Sequence, residues 1–417
     1  MRQLFKDKNF LRLCLATFFM SSCLQLVWIV LPFVIKAMGG SDTEVGLCFL
    51  GQMGVYVVFC VLLSSIIDKF KPKRVLLTGA AAEVFVAFGL LAAVWYGNNN
   101  GIFLTPIMRL GFLMSMTGII TAFFWPVMMG WISTGHEGAE LTKRFGFYNT
   151  TWSSANTVLP IIGGYLMEID YLLPLAAAVI MAILCFVTIA VTRCISESPK
   201  PQENNADNTI KEEIRLVGQV RQESRQFLWM SRIALFATLI CVGIFRSQLG
   251  IFYKFELGFS ESAYGWSVSL MCLFNVAVFV MMGRSHYWHY KKGLFAAAQA
   301  SIIVCMAMII LFNNLSLQLL ASGLAGICYG FVYGSHQYYG VSGGVKRSGL
   351  MAIHETIIGA GFAAGSLVGG MLSDAFGRHS PYWFACAVII IAGLIQIFLW
   401  MSLRMQKSEP RTLVSGQ

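Results

Sequence analysis

The chain has 417 residues, of which 57% are hydrophobic and only 12% are charged. A soluble globular protein carries about 25% charged residues, so this composition excludes a soluble enzyme and a disordered chain. The formal net charge is +10. Because the basic residues lie in short loops between apolar runs, they indicate an anionic membrane surface rather than nucleic acid as the partner.

Twelve apolar runs follow one another along the chain, and each is long enough to cross the hydrocarbon core as a helix of about 20 residues. They cover residues 10–36, 43–67, 74–97, 102–132, 145–168, 171–193, 228–253, 262–284, 293–313, 316–340, 348–373 and 381–402. The longest polar stretch, residues 194–226, is too short for a separate catalytic domain. We therefore predict an all-α integral membrane protein with twelve transmembrane helices.

The distribution of lysine and arginine predicts the orientation. If the N-terminus is cytoplasmic, 24 of the 30 basic residues lie on the cytoplasmic side and three lie on the other side. Loops rich in lysine and arginine stay on the cytoplasmic side of a membrane. We expect a multi-pass protein of the cell inner (cytoplasmic) membrane with both termini in the cytoplasm.

The two halves of the chain repeat short patterns. A serine followed by an acidic residue precedes the second and the eighth run, at Ser41 and Ser260, which are 219 residues apart. Paired glycines recur in the fifth and the eleventh run, beginning at Gly163 and Gly369, which are 206 residues apart. These repeats predict two pseudo-symmetric bundles of six helices each.

The predicted bundles divide the chain into three parts. Residues 1–193 form the N-terminal six-helix bundle, residues 194–226 a cytoplasmic linker, and residues 227–417 the C-terminal bundle with a cytoplasmic tail. The linker is helix-like from residue 210. It is either an amphipathic helix that lies on the inner leaflet or a solvated tether.

The sequence contains no signal for a cofactor, a metal site or a catalytic site. Ten of the eleven cysteines lie within apolar runs and none forms a CxxC pair, so we predict neither disulfides nor metal binding. No phosphate-binding loop of the GxxxxGKS or GxxxxGKT type is present. His136, Glu137 and Glu140, in the loop before the fifth span, are the nearest approach to a catalytic set, and a solvated loop explains them. We expect that the chain is not an enzyme.

The loop between the second and third spans contains an aspartate followed by a basic cluster: Asp68, Lys69, Lys73 and Arg74. With the twelve spans and the six-span repeat, this loop resembles the major facilitator superfamily of secondary transporters. The family has a glycine four residues before the aspartate, where this chain has Ser64. The resemblance implies transport by alternating access around a midplane cavity.

The same resemblance implies that these four loop residues act as a gate. Asp68 would meet the N-terminus of the eleventh span near Ser348, where free backbone N–H groups carry partial positive charge. That contact would hold the cytoplasmic side shut. The alternative is a solvated turn that follows only the distribution of positive charge.

Candidate substrate-binding residues follow from the resemblance, because spans 1, 4, 7 and 10 line the cavity in this family. Arg246, beyond the middle of the seventh span, is a candidate for binding an anionic or carbonyl group, with an ion pair as the alternative. The repeat places Arg246 opposite the segment of the first span that contains Gln25 and Trp28. The complete set of candidates is Gln25, Trp28, Thr121, Trp152, Asn156, Arg246, Gln248, Tyr329, Tyr333 and Gln337.

Other ionisable groups lie deep within the predicted spans, where a charged side chain is costly and needs a reason. We predict a structural ion pair between Glu83 and Arg109. His336, His354 and Glu355 share a depth near the cytoplasmic side, so we predict that they couple transport to protons, with Glu355 as the titrating group. The alternative is a fixed hydrogen-bonded cluster between spans 10 and 11.

The predicted function is secondary active transport of a small solute by alternating access, proton-coupled and in the direction of import. Efflux of amphiphilic compounds is the alternative within transport, because Pro160-Ile161-Ile162-Gly163 is similar to a fifth-span motif of exporters, although Leu159 stands where a glycine normally precedes the proline. A non-transporting membrane receptor or scaffold is the alternative of another class. The expected partners are a small-molecule substrate, protons and the lipid bilayer, with no nucleic acid, and we expect a monomer.

Overall fold

The computed structural model describes residues 7–63, 70–97, 104–133, 138–193, 210–285, 287–341 and 347–408. These residues form twelve helices. In chain order they are α1 (Lys8–Ala37), α2 (Asp42–Leu63), α3 (Pro72–Trp95), α4 (Pro106–Ser133), α5 (Gly138–Ile169), α6 (Leu172–Ala190), α7 (Ile210–Phe255), α8 (Glu261–Arg284), α9 (Lys292–Leu311), α10 (Leu315–Val341), α11 (Arg347–Phe376) and α12 (Ser380–Ser408). The predicted all-α membrane fold is confirmed.

Helix α5 differs from the other helices in composition. Within the described residues, eleven helices are long and apolar enough to cross a membrane, and α5 does not meet that criterion. Asn149, Ser153 and Asn156 recur at helical spacing on α5, and all three line a central cavity. Because α5 packs between α1 and α8, it takes the place of the remaining span and turns its polar face inward.

The helices pack as two equivalent sets of six. In the first set α1 contacts α5 and α6, α2 contacts α4, and α3 contacts α4 and α6. In the second set α7 contacts α11 and α12, α8 contacts α10, and α9 contacts α10 and α12. Each contact recurs six helices later, so the two bundles have the same architecture. Between the bundles, α2 packs along α11 and α5 along α8.

Glycines permit the equivalent crossings of α2 with α4 and of α8 with α10. A Cβ atom on Gly118 of α4 would lie 2.2 Å from the backbone oxygen of Gln52 on α2. A Cβ atom on Gly326 of α10 would lie 2.1 Å from the backbone oxygen of Met271 on α8. Backbone atoms cannot move aside as a flexible side chain does, so these helices approach closely only because both positions lack a side chain.

Both described chain ends lie on one side of the molecule, which we call the terminus side; the opposite side is the far side. At the start of α1, Asn9 exchanges hydrogen bonds with the backbone of Arg193, just beyond the end of α6. In the second bundle the Lys292 ammonium, at the start of α9, lies 4.0 Å from the ring centroid of Trp400 near the end of α12.

The first residue described, Asp7, joins α1 to α5 on the terminus side. Its carboxylate accepts a hydrogen bond from the Phe10 backbone N–H at 3.0 Å and an ion pair from Arg144 at 2.8 Å. Burial acts to raise the pKa of Asp7, but the bonds from Phe10 and Arg144 outweigh burial and hold this pKa below its ordinary value. Asp7 therefore remains ionised and caps α1.

Part of the predicted linker continues the seventh span. Helix α7 begins at Ile210 and runs without interruption to Phe255. The helix-like segment from residue 210 is therefore continuous with the span rather than a separate helix on the membrane surface, whereas residues 194–209 lie outside the described part of the chain.

We expect Gly118→Ala to destabilise the protein, because the added methyl group forces α4 away from α2. Overpacking of this kind costs about 1–3 kcal/mol, so the melting temperature of detergent-purified protein should fall. Gly146→Ala on α5 is the matched control, since a Cβ atom there meets no atom within 4 Å and alanine favours a helix. Equal melting temperatures for the two variants would contradict the close-packing account.

Candidate functional site: a central cavity

A cavity of about 220 Å³ lies between the two bundles. Both bundles contribute polar and aromatic side chains to it. Its polar and aromatic lining consists of Ser21, Gln25, Trp28, Gln52, Tyr56, Thr121, Trp125, Tyr148, Asn149, Trp152, Ser153, Asn156, Arg246, Asn275, Tyr329, Tyr333, Gln337, Glu355 and Phe362. On α4, α5, α10 and α11 these residues lie at the middle of the helix or in the half nearer the terminus side, so the cavity extends from the middle of the molecule towards that side.

The structure brings nine of the ten predicted substrate-binding residues to this cavity. Those nine are Gln25, Trp28, Thr121, Trp152, Asn156, Arg246, Tyr329, Tyr333 and Gln337. Gln248 is the exception: its side-chain amide donates to the backbone oxygen of Asp42 at 3.4 Å. Two residues along a helix correspond to a rotation of about 200°, so Gln248 faces away from the cavity when Arg246 faces into it.

Arg246 lies at the deep end of the cavity, nearer the far side, and is 5% exposed. Its guanidinium donates to Gln25 Oε1 at 2.9 Å and contacts the Cys272 sulfur at 3.8 Å. It also lies 5.7 Å from the ring centroid of Trp28. These partners are all uncharged, so they orient the guanidinium and leave its charge uncompensated.

Aromatic side chains close the deep end around Trp28. The indole N–H of Trp28 donates to Gln52 Oε1 at 2.7 Å. The ring of Phe362, on α11 in the other bundle, lies 5.6 Å from the ring of Trp28. Trp28 therefore links α1 to α2 by a hydrogen bond and to the opposite bundle by ring packing.

Glu355 occupies the part of the cavity nearer the terminus side. Its Oε2 accepts a hydrogen bond of 2.9 Å from the Tyr56 hydroxyl. Tyr56 belongs to α2 and Glu355 to α11, so this bond crosses between the two bundles. Among the described residues that line the cavity, Glu355 is the one carboxylate and Arg246 the one cation.

The two predicted coupling histidines pair with each other, whereas Glu355 points elsewhere. The Nδ1 atoms of His336 and His354 lie 2.6 Å apart and their rings stack at 4.9 Å. At this distance the Nδ1 of one ring donates a hydrogen bond to the Nδ1 of the other. The pair connects α10 to α11 behind the cavity wall, and Tyr333 packs on His354 at 4.7 Å.

The predicted ion pair between Glu83 and Arg109 is not formed, which corrects the sequence-based expectation. Glu83 is 1% exposed and its Oε1 accepts from Thr117 at 3.4 Å and from the Cys23 thiol at 3.9 Å. Thr117 and Arg109 are both on α4, eight residues apart, which is about 12 Å along a helix. Glu83 lies at the depth of Thr117, so Arg109 is too near the far side to reach it.

Several cavity residues were not predicted, because the expectation rested mainly on spans 1, 4, 7 and 10, with Trp152 and Asn156 as its members on span 5. Gln52 and Tyr56 are four residues apart on α2, and Asn149 and Ser153 are four apart on α5. A polar or aromatic pair at this spacing within an apolar span shares one helix face. That pattern was the available signal that α2 lines the cavity and that α5 contributes Asn149 and Ser153 besides Trp152 and Asn156.

The predicted gating loop is only partly described. Asp68 and Lys69 lie outside the described residues. The Lys73 ammonium donates to the backbone oxygens of Ala190 at 3.0 Å and Thr192 at 2.6 Å. Lysine at a helix C-terminus satisfies free carbonyl groups and opposes the negative end of the dipole, so Lys73 stabilises the end of α6. The Arg74 backbone oxygen accepts from Thr78 within α3, and a gating role for this loop stays a prediction.

On the far side, the two bundles repeat the same ion pair. Lys36 and Asp42 lie 2.8 Å apart at the junction of α1 and α2. Lys254 pairs with Glu261 at the junction of α7 and α8, 218 and 219 residues later in the sequence. Each pair joins the end of one helix to the start of the next.

Contacts between the bundles on the far side are also duplicated. Asp374 at the end of α11 accepts hydrogen bonds from the backbone N–H groups of Asp42 at 3.1 Å and Thr43 at 2.7 Å. Glu168 at the end of α5 accepts from the backbone N–H of Ser262 at 3.2 Å. In each case a carboxylate of one bundle meets the helix N-terminus of the other, where N–H groups are free and the dipole favours negative charge. These contacts close the far side.

The glycine repeat found in the sequence lies at the same contacts. A Cβ atom on Gly370 would lie 2.3 Å from the backbone oxygen of Asp42, and one on Gly164 would lie 2.8 Å from the Cα atom of Ser262. Small residues here let the start of α2 approach α11 and the start of α8 approach α5.

Twelve helices in two equivalent bundles, with a polar cavity between them that is closed on one side, define a membrane transporter. A model of the Major Facilitator Superfamily matches residues 13–345. The match covers more than half of the chain, so the chain belongs to this superfamily of secondary transporters. The comparison with curated proteins found no match.

Solved structures with the same fold include several transporters. The nucleoside transporter NupG, in a mutant form, has a TM-score of 0.70 at 11% identity, over 94% of this chain and 100% of that one. A bacterial homologue of the human lysosomal transporter Spinster has a TM-score of 0.69 at 13% identity, over 95% and 96%. A POT family transporter in complex with a thioalcohol-conjugated peptide has a TM-score of 0.68 at 12% identity, over 95% and 96%. At these identities the likeness shows the fold alone.

We expect the double variant Glu168→Gln, Asp374→Asn to open the far side, because it removes the charge from both contacts with helix N-termini. Spin labels at the exposed far-side positions Ala37 and Leu311 report the separation of the bundles. Pulsed electron resonance should then show a population at longer distance than in the parent protein.

The matched control is Asp170→Asn. The Asp170 carboxylate accepts a hydrogen bond from the backbone N–H of Leu172 within its own bundle, so its replacement should leave the distance distribution unchanged. If the double variant also leaves the distribution unchanged, the duplicated contacts do not hold the far side closed.

Proposed function

We propose that this transporter imports a small polar solute together with protons, with the central cavity as the solute site and Glu355 as the proton-carrying group. The observation that carries the proposal is the hydrogen bond of 2.9 Å from Tyr56 to Glu355. It joins the one titratable carboxyl group of the described cavity lining to the opposite bundle.

This bond supports coupling because its strength depends on the charge of Glu355. A hydrogen bond to an ionised carboxylate is about twice as strong as one between neutral groups. Protonation therefore weakens the link between α2 and α11 near the terminus side. Protonation of Glu355 would thus change both the charge of the cavity and the contact between the bundles. A proton-coupled cycle requires such a link between protonation and conformation.

The closed far side supports alternating access. The cavity extends towards the terminus side, while carboxylates at the ends of α5 and α11 join the bundles on the far side. In the orientation predicted from lysine and arginine, the terminus side is cytoplasmic. The conformation described here would then be the one that releases an imported solute into the cytoplasm.

The cavity volume favours a small solute over an amphiphilic drug. Pockets for drug-sized ligands measure roughly 300–1,000 Å³, whereas this cavity measures about 220 Å³. Two relatives of the same fold are named for a nucleoside and for a conjugated peptide. They support transport of polar solutes without identifying the solute of this chain.

Direction and coupling are tested in proteoliposomes. A stabilising solute is first selected from sugars, organic acids and amino acids by thermal shift, where a ligand at 100 times its Kd adds about 2.7 kcal/mol. We expect an inward proton gradient to drive accumulation of that solute by the parent protein. Glu355→Gln should abolish this accumulation and retain counterflow exchange, because the cavity still binds solute while the titrating group is lost.

Glu83→Gln is the matched control, since Glu83 is a buried carboxyl group outside the cavity. It should retain accumulation in proportion to the amount of folded protein. Accumulation by Glu355→Gln at the parent rate would contradict the coupling role. Stabilisation by amphiphilic cations alone, with outward transport, would replace import by efflux, and absence of any flux would favour a receptor or scaffold.

A further inference from the structure

Arg144 and Arg246 are the buried cations of the described structure, and they differ in their partners; half-buried Lys36 and Lys254 also have carboxylate partners, whereas half-buried Arg232 lies over the Trp229 ring. Lys36 lies 2.8 Å from Asp42 and Arg144 lies 2.8 Å from Asp7, and Lys254 pairs with Glu261. Arg246 has no carboxylate within ion-pair distance among the described residues, and its partners are an amide oxygen, a thiol and an indole ring.

The cavity lining near Arg246 also contains an unpaired hydrogen-bond donor, on Gln52. Gln52 is fully buried beside Trp28, and its Oε1 is occupied by the indole N–H. The Nε2 of Gln52 has no hydrogen-bond partner in the described structure. The end of the cavity therefore offers the positive charge of Arg246, which lacks a carboxylate partner, and the free N–H donor of Gln52. Both are complementary to an anion.

We propose that the transported solute is a small organic monoanion whose carboxylate pairs with Arg246 at the deep end of the cavity. The proposal rests on the proposed function and names the substrate class of the same site. One guanidinium balances one negative charge, so a dianion would carry an uncompensated charge into the bilayer.

The charge of the cavity supports the assignment. In the empty cavity an ionised Glu355 and Arg246 together give a net charge of zero. A bound monoanion neutralises Arg246, and the net charge stays at zero only if Glu355 takes up one proton. The protein then changes conformation with no net charge in the cavity, whether the cavity is empty or loaded. This avoids the free energy needed to place a charge inside the membrane.

The remaining titratable side chains around Glu355 are hydroxyl, thiol and imidazole groups. They comprise Tyr56 and Cys60 of α2, Tyr148 of α5, and Tyr329 and Tyr333 of α10. His336 and His354 pair with each other behind the cavity wall. On α7, which also packs against α11, Arg246 lines the same cavity, Arg232 lies outside it nearer the terminus side, and Lys254 pairs with Glu261 on the far side. Among the described residues that line the cavity, Glu355 and Arg246 therefore set the charge balance.

The shape of the cavity favours a solute with a ring or a compact polyol. Trp28, Trp152, Tyr329 and Tyr333 provide flat walls, and the amides between them provide hydrogen bonds. An aromatic or sugar-like body with one carboxylate fits a cavity with these walls and one cation at its end.

Two charge series on constant skeletons test the assignment by titration calorimetry on the purified full-length protein. The first contains gluconate, glucitol, glucamine and glucarate, which share an acyclic six-carbon chain. The second contains nicotinate, nicotinamide, 1-methylnicotinamide and quinolinate. We expect the monoanion to bind at least about tenfold more tightly than the neutral, cationic and dianionic members of its series.

The expected advantage depends on Arg246. Arg246→Gln should reduce the affinity for the monoanion to that of the neutral member, and Arg246→Lys should retain part of it. The matched control is Arg232→Gln, which removes a cation from the same helix outside the cavity and should leave the charge preference unchanged. Circular dichroism and gel filtration identify any variant that fails to fold.

The assignment is overturned if a neutral, cationic or dianionic member binds as tightly as the monoanion, or if neither monoanion binds at millimolar concentration. It is also overturned if Arg246→Gln folds and keeps the preference for the monoanion.

Proton uptake is measured separately by calorimetry in buffers of different ionisation enthalpy, with one proton expected per bound monoanion. Binding without proton uptake would contradict the coupling role of Glu355 while it supports the anion site at Arg246.

Discussion

Charged side chains are unfavourable inside the hydrocarbon core of a membrane, and this constraint shapes the whole structure. Insertion of a charged side chain near the bilayer centre costs at least about 2.5 kcal/mol, so each charge requires compensation. Lys36 and Lys254 have carboxylate partners at equivalent positions of the two bundles. Glu83 lies among hydroxyl and thiol donors. Arg246 is held by uncharged groups in a cavity, and this exception points to the solute as the missing partner.

The duplication of the chain accounts for how the cavity is closed and how it can open. The same helix pairs pack in both bundles, and on the far side each bundle offers a carboxylate to a helix N-terminus of the other. Because these contacts join rigid bundles through a few charge-assisted bonds, they can break together without repacking either bundle. Tyr56 and Glu355 join the bundles nearer the terminus side, where protonation alters the bond. The proposed monoanion would bind between these two regions.

The fold was predictable from the sequence because its signals are local. The lengths of the apolar runs indicate the spans, the basic loops indicate the orientation, and the repeated serine and glycine patterns indicate helix starts and close helix contacts. The sequence predicted nine cavity residues because polar side chains within an apolar span must face a polar space. It placed Glu83 opposite Arg109 because helix ends, and therefore depths, are uncertain by several residues. It placed Gln248 in the cavity because proximity along a helix does not reveal which face turns inward. The bond from Tyr56 to Glu355 links residues 299 apart, and no local pattern specifies such a pairing.

Transport is electroneutral if the cavity carries no net charge in either its empty or its loaded form, as proposed. We would measure the solute gradient at which net flux stops in proteoliposomes loaded with the monoanion that binds most tightly. The measurement is made at two membrane potentials, set with potassium and valinomycin. Net flux should stop when the outward solute gradient equals the inward proton gradient, and this balance point should be the same at both potentials. A balance point that moves with the membrane potential would show that charge crosses with the solute and would contradict electroneutral transport.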